Sequence, residues 1–118
     1  MIGAPLHQLA SHAPIWMPVR GASMSPLLRP GDQVLVDLAQ PWTCGDVVVV
    51  GAQRGLVVHR IVAVAGDGDR VITKGDAVGH CDRPVSSAAI VGVVIRVRRR
   101  RWWGQWQEME VRGALGQS

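Results

Sequence analysis

Three polar side chains set among apolar or turn-forming neighbours are the residues of this sequence best suited to chemistry. They are Ser23 in "GASMSPLLRPGD", His59 in "GLVVHRIVAV" and an aspartate in "ITKGDAVGHCDRPV". A serine hydroxyl is a weak nucleophile until a neighbouring base takes its proton. An imidazole inside an apolar strand must find a hydrogen-bond partner or cost stability, and one that accepts a proton is steadied by a carboxylate. Asp76 and Asp82 both offer that carboxylate, although Asp76, following Lys74-Gly75, also reads as a residue that closes a tight turn. Gly21 lets the chain approach closely, and Pro26 with Pro30-Gly31 fixes the turns that follow. Those features hold Ser23 at the rim of a sheet with its backbone N–H available to an oxyanion. Taken singly, a serine in a Gly/Pro-rich loop caps a turn and a strand histidine is structural. The chemistry rests on the three being brought together.

The elements that must do so are strands. The chain has 118 residues, 47% of them hydrophobic, with valine dominant, no Phe or Tyr, 14 Gly and 7 Pro. That is one domain built of β-branched runs joined by turns. "QVLVDL" alternates as a strand, and "VVVVGA" has the β-branched run of a strand buried on both faces. "LVVHRIVAVAG" is long enough to bend or bulge, "DGD" is a hairpin signal leading into "RVITKGD", and "IVGVVIRV" closes the series. Five strands and no convincing helix predict an all-β fold, a mostly antiparallel sheet rolled into a small open barrel. Residues 1–18, with Pro5, Pro14 and Pro18, read as an irregular lead-in, a tail or a lead-in strand, 19–97 as the core, and 98–118 as a basic, Trp-rich segment.

The net charge of +4 is concentrated in Arg96 and Arg98–Arg101. With Trp102, Trp103 and Trp106 this run suits a membrane interface or an acidic partner. The plainer reading has the tryptophans covering an open barrel end and the arginines solvated. A nucleic-acid binder using Arg98 to Trp106 is a further alternative, but nucleic acid is not the expected partner. Cys44 and Cys81 allow one disulfide at most and read better as unpaired, partly buried thiols. His7, His12, His80 and Cys81 match no zinc spacing, so neither metal nor cofactor is expected. The opening residues lack the positive and apolar regions of a secretory signal, and no run of about 18 apolar residues occurs. The expectation is a cytoplasmic or peripherally membrane-associated protein.

In order and with compatible gaps, "GASMSPLLRPGDQVLV", "GDVVVV", "VVHRIV", "ITKGDA" and "DRPV…IVGVV" resemble the boxes of the signal peptidase I superfamily (S24/S26-type serine peptidases). That superfamily also includes the self-cleaving LexA-type repressors, and the resemblance spans roughly residues 19 to 96. It implies the β catalytic core of that superfamily and a serine endopeptidase that cleaves signal or leader peptides from precursor proteins. Carried over by position, Ser23 is the nucleophile, His59 the general base and Asp82 the orienting carboxylate, with Asp76, Lys74 and Met24 in support. Bacterial leader peptidases place a lysine where this sequence has His59, so "VVHRIV" resembles the archaeal, endoplasmic-reticulum and spore-former branch. Gly21 stands where some relatives carry a hydroxyl donor to the oxyanion, which leaves the second donor unassigned. The resemblance also implies an extended peptide substrate pairing with strand edges at Gly21, Ala22 and Ser25 and at Val57 and Val58, its small side chains entering shallow pockets. No membrane anchor precedes the nucleophile box and no large insertion interrupts the core, which points to a relative that trims the leader of one dedicated precursor. The alternative is a non-catalytic or self-processing LexA-like module, for which about twenty residues ahead of the nucleophile box are too few for a DNA-reading helical domain.

Overall fold

The valine runs become strands because β-branched side chains suit a pleated surface packed on one or both faces. In the computed structural model, which describes residues 13–53 and 55–111, the chain forms β1 (Ile15–Pro18), β2 (Gln33–Asp37), β3 (Val47–Ala52), β4 (Gly55–Ala65), β5 (Arg70–Lys74), β6 (Val85–Ser86), β7 (Ile90–Arg100) and β8 (Trp106–Glu110). A single 3-10 turn, Ser87–Ala89, leads into β7. The readings made for residues 1–12, including His7 and His12, and for residues 112–118 lie outside the described residues.

Every strand pair is antiparallel, in the order β1-β2-β7-β3-β4-β5-β6, with β8 also on β7. The sheet is open, as expected: its ends, β1 and β6, are not joined. The five expected strands are all present. The bend expected in β4 is a register shift between Ile61 and Ala63. Ile15–Pro18, within the segment read as a tail or a lead-in strand, is an edge strand running from Ile15↔Val36 to Pro18↔Gln33. Pro18 is tolerated because it ends a strand at the sheet's margin. The boundary expected after residue 97 falls inside β7, and residues 106–110 fold back on it as β8.

β7 is the strand on which the sheet is organised. One of its sides meets β2 from Val93 to Arg98; the other meets β3 from Ile90 to Val93 and then β8 from Arg96 to Arg100. Side chains alternate between faces along a strand, so β3 feeds two clusters. Val47 and Val49 pack with Val34, Val36, Val94, Val97, Met24 and Leu28, while Val48 and Val50 pack with Ile61 and Val93.

Between β1 and β2 the chain makes a long loop, closed at its base where Val19 N–H donates to Asp32 O (2.8 Å) and Gly31 N–H to Val19 O (3.2 Å). Met24 and Leu28 turn inward to the first cluster. Arg99, expected as part of a solvated basic run, reaches from β7 into the loop's base. Its Nε and Nη2 donate to the two carboxylate oxygens of Asp32 at 2.9 and 2.8 Å, and Nη2 also donates to Leu27 O at 3.2 Å. Donating these hydrogen bonds to Asp32 raises the Arg99 guanidinium above its ordinary value. The Asp32 side chain is 3% exposed, so Arg99→Ala strands a buried charge and is expected to lower unfolding free energy by about 3–5 kcal/mol. Urea denaturation reads this, and a loss under about 1 kcal/mol, the range of a surface pair, would place the support of Asp32 elsewhere.

Candidate active site

β4, the β5–β6 loop and the β1–β2 loop carry the three residues singled out above, and the fold brings them into one line. His59 Nε2 lies 3.1 Å from Ser23 Oγ, and His59 Nδ1 lies 2.5 Å from Asp82 Oδ2. The His59 side chain is 12% exposed and that of Asp82 35%, so the imidazole is largely shielded while the carboxylate keeps some solvent. With Nδ1–H donating to Asp82, Nε2 is left as the acceptor for the serine hydroxyl, the tautomer that proton abstraction requires.

Each member is positioned by local structure. His59 sits opposite Val48 on the strand pair β3–β4, before the β4 bulge. Asp82 is held by its backbone N–H, which donates to Thr73 O at 2.8 Å, and by the Thr73 hydroxyl, which donates to Oδ2 at 2.7 Å. Ser23 is held from both sides. Its neighbour Met24 is buried, and its own carbonyl accepts the N–H of Ala77 at 2.8 Å. Among the described residues its N–H has no hydrogen-bond partner, which leaves it available to an oxyanion.

The close approach expected of Gly21 occurs instead at Gly75. A Cβ at Gly21 would meet nothing within 4 Å, and that residue is glycine for its φ of +78°. A Cβ at Gly75 would lie 2.7 Å from Ser23 O and 2.9 Å from Ser23 Cβ.

Asp76 does not share the histidine. It takes a two-point ion pair from Arg60, with Nε to Oδ1 at 2.9 Å and Nη2 to Oδ2 at 2.8 Å, while Arg60 Nη1 donates to Gly45 O at 2.9 Å. Hydrogen bonding to Asp76 outweighs partial burial and raises the Arg60 guanidinium. Asp76 N–H points at Met24 Sδ, 3.3 Å away. Arg60 and Asp76 thus tie the 75–77 turn to β4, and the turn in turn holds Ser23. Lys74 directs Nζ to the carbonyl of Gly75 (3.2 Å), outside the Ser23–His59 pair.

Beside Ser23 lies a groove of about 600 Å³ lined by Met17–Gly21, Ser23 and Met24 on one side and Leu56–Val58 on the other, with Val49 beneath. Of the five residues expected to meet a substrate, Gly21, Val57 and Val58 line it. Ala22 and Ser25 do not. They close the turn behind Ser23, where Ser25 N–H donates to Ala22 O (3.1 Å) and Ser25 Oγ faces Leu28 O. Residues 55–58 pair with β3 on one side only, since β5 begins its pairing with β4 at Arg60. Cys44 and Cys81 are free, and both are exposed rather than partly buried. Among the described residues no cluster of three potential ligands could hold a metal, and no helix is long and apolar enough to cross a membrane.

Thr73 and Arg60 were not singled out from the sequence. A signal existed for Thr73: in "RVITK" it shares the buried face with Val71, and a hydroxyl there needs a partner. Arg60, a charge inside an apolar strand, carried the same kind of signal.

A hydroxyl, an imidazole and a carboxylate in line, on an open antiparallel sheet and beside a groove, form the constellation of a serine peptidase. Residues 5–95 match the family model described as peptidase S24-like. The chain belongs to that family, within the S24/S26 superfamily that the sequence boxes resemble. Among curated proteins, the search returned no match.

Because the Gly75 position has no room for a methyl group against Ser23 backbone, Gly75→Ala is expected to cost about 1–3 kcal/mol of stability. The backbone amide resonances of Ser23 and Ala77 should move with it. An unchanged stability and unchanged spectrum would show that the two segments are not in tight contact.

Proposed function

We propose that this protein is a serine endopeptidase of the Ser-His branch that removes leader or signal peptides from precursors, with Ser23, His59 and Asp82 as its triad. The observation that carries the reading is the Ser23 Oγ–His59 Nε2 separation of 3.1 Å, with Asp82 behind the ring. In this mechanism Ser23 Oγ attacks the scissile carbonyl carbon as its proton passes to His59 Nε2. The negative charge then formed on the carbonyl oxygen is received by the Ser23 N–H. His59 returns the proton to the departing amine, and the peptide C–N bond breaks to leave an acyl-serine. Water, deprotonated by the same nitrogen, attacks that ester and restores the hydroxyl. Asp82 holds the ring and offsets its charge; Lys74 and Asp76 take no proton.

The groove supports an extended peptide as substrate. One wall is the unpaired edge of residues 55–58, able to accept a strand, and the other is the backbone of 17–21. Main-chain pairing would supply affinity, and the apolar floor at Val49 would favour small apolar side chains next to the scissile bond.

A fluorophosphonate probe, which phosphonylates an activated serine with loss of fluoride, tests the assignment. Wild type should label; Ser23→Ala and His59→Ala should not; Lys74→Ala should. Labelling that survives His59→Ala but vanishes with Lys74→Ala would transfer the base to the lysine, and a wild type inert to probe and to peptide libraries would remove the peptidase reading. Asp82→Asn should lower turnover by about 10⁴, the scale of a triad left in the wrong tautomer. Thr73→Val should lower kcat about tenfold or more with little change in KM, because a hydrogen bond to a charged group contributes about 1.5–3 kcal/mol. A change confined to KM would assign Thr73 to substrate binding instead.

A further inference from the structure

We propose that the tip of the β7–β8 hairpin docks this protein on an anionic phospholipid surface, an inference that stands apart from the catalytic reading. The hairpin turns through Arg101, Trp102, Trp103 and Gly104: Gly104 N–H donates to Arg101 O at 2.8 Å, and Arg101 N–H to Gln105 O at 2.8 Å, with Gly104 at φ +92°. The two central positions of such a turn project furthest from the sheet and accept most residue types, so the backbone does not demand tryptophan there. Here they hold the two largest apolar side chains available. Trp102 is 92% exposed and Trp103 54%, and Trp106 beside them is 40% exposed. Water penalises that placement: the two rings meet edge to face at 5.4 Å, which leaves Trp102 almost wholly in solvent while Trp103 also lines a shallow hollow with Gln105, Trp106 and Gln107.

The charges around the tip select the surface. Arg100 and Arg101 flank the tryptophans, and the guanidinium of Arg98 stands 4.0 Å over Trp16 and 5.1 Å from Trp106. The hairpin's acids, Glu108 and Glu110, are drawn to Arg96 further from the tip. A cationic collar behind exposed indole rings matches the headgroup layer of an anionic bilayer, where tryptophan sits at the boundary and arginine meets phosphate. A protein partner fits less well, because a stable protein interface takes about 800 Å² from each side and a two-residue tip offers far less. Single-stranded nucleic acid fits less well too. Trp102 and Trp103 stand at 90° and leave no parallel slot, and Trp106 is approached by two arginines. The register Pro18↔Gln33↔Arg98 sets this tip at the end of the sheet where the Ser23 loop begins and ends, so docking there would bring the groove close to the lipid.

The test uses full-length Ser23→Ala protein, so that cleavage plays no part and its outcome is separate from that of the peptidase assignment. Flotation with phosphatidylcholine vesicles, with and without phosphatidylglycerol, is read beside tryptophan emission. Binding should require phosphatidylglycerol, weaken with salt and shift emission to shorter wavelength. Trp102→Ala and Trp103→Ala should each weaken partitioning roughly tenfold, the scale of burying one large apolar side chain, and Arg100→Gln about fivefold, the scale of one arginine near an anionic leaflet. Absence of flotation, or equal flotation of the parent and the double tryptophan variant, would overturn the proposal. So would retention on a single-stranded oligonucleotide that depends on the same tryptophans while vesicles are ignored. The emission shift of the parent protein alone keeps the test decisive should a variant fold poorly.

Discussion

Two backbone segments from opposite halves of the chain meet where Ser23 lies against Gly75, and the arrangement of the site depends on that contact. The Ser23 carbonyl takes the N–H of Ala77, and the space a side chain at residue 75 would fill is occupied by Ser23 itself. Only because the turn comes this close does the serine hydroxyl reach an imidazole carried by a different strand pair. The contact is reinforced from outside: Arg60 and Asp76 hold the turn, and Arg99 and Asp32 hold the base of the serine loop. Both are two-point guanidinium–carboxylate pairs. That geometry fixes orientation as well as distance, which a lysine in either place would not do.

The apolar packing serves the same end. Met24 and Leu28 act as two pegs driven into the larger cluster, so the loop carrying Ser23 is part of the core although it has no regular secondary structure. β3, buried on both sides from Val47 to Val50, separates the two clusters and forms the floor of the groove through Val49. A long loop would ordinarily be the mobile part of a small domain. Pegs and buried ion pair remove that freedom where a reactive side chain needs a fixed direction.

The strands were legible because their signals are local. Valine alternation, the four-valine run and "DGD" each declare themselves within a few residues. β6 and β8 were missed for the converse reason: short edge elements gain their shape from the strand they join, and Val85–Ser86 is only two residues long while Gln107, Glu108 and Glu110 carry little strand signal of their own. In the site, the sequence boxes pointed to Ser23, His59 and Asp82, and the fold does bring these together, whereas the residues alone left Asp76 and Asp82 undecided. What separates them is a contact pattern invisible along the chain: Thr73 and His59 converge on Asp82, while Arg60 claims Asp76. The basic run was misread in part for a similar cause. Arg99 differs from Arg98 and Arg100 only in facing the other side of β7, where a buried carboxylate waits.

The one-sided pairing of residues 55–58 has a further consequence. A strand edge that displays free backbone donors and acceptors is complementary to any extended chain, another copy of itself included. Two molecules meeting through these edges would each shutter the other's groove, since both would draw on the hydrogen bonds that a substrate strand would otherwise take.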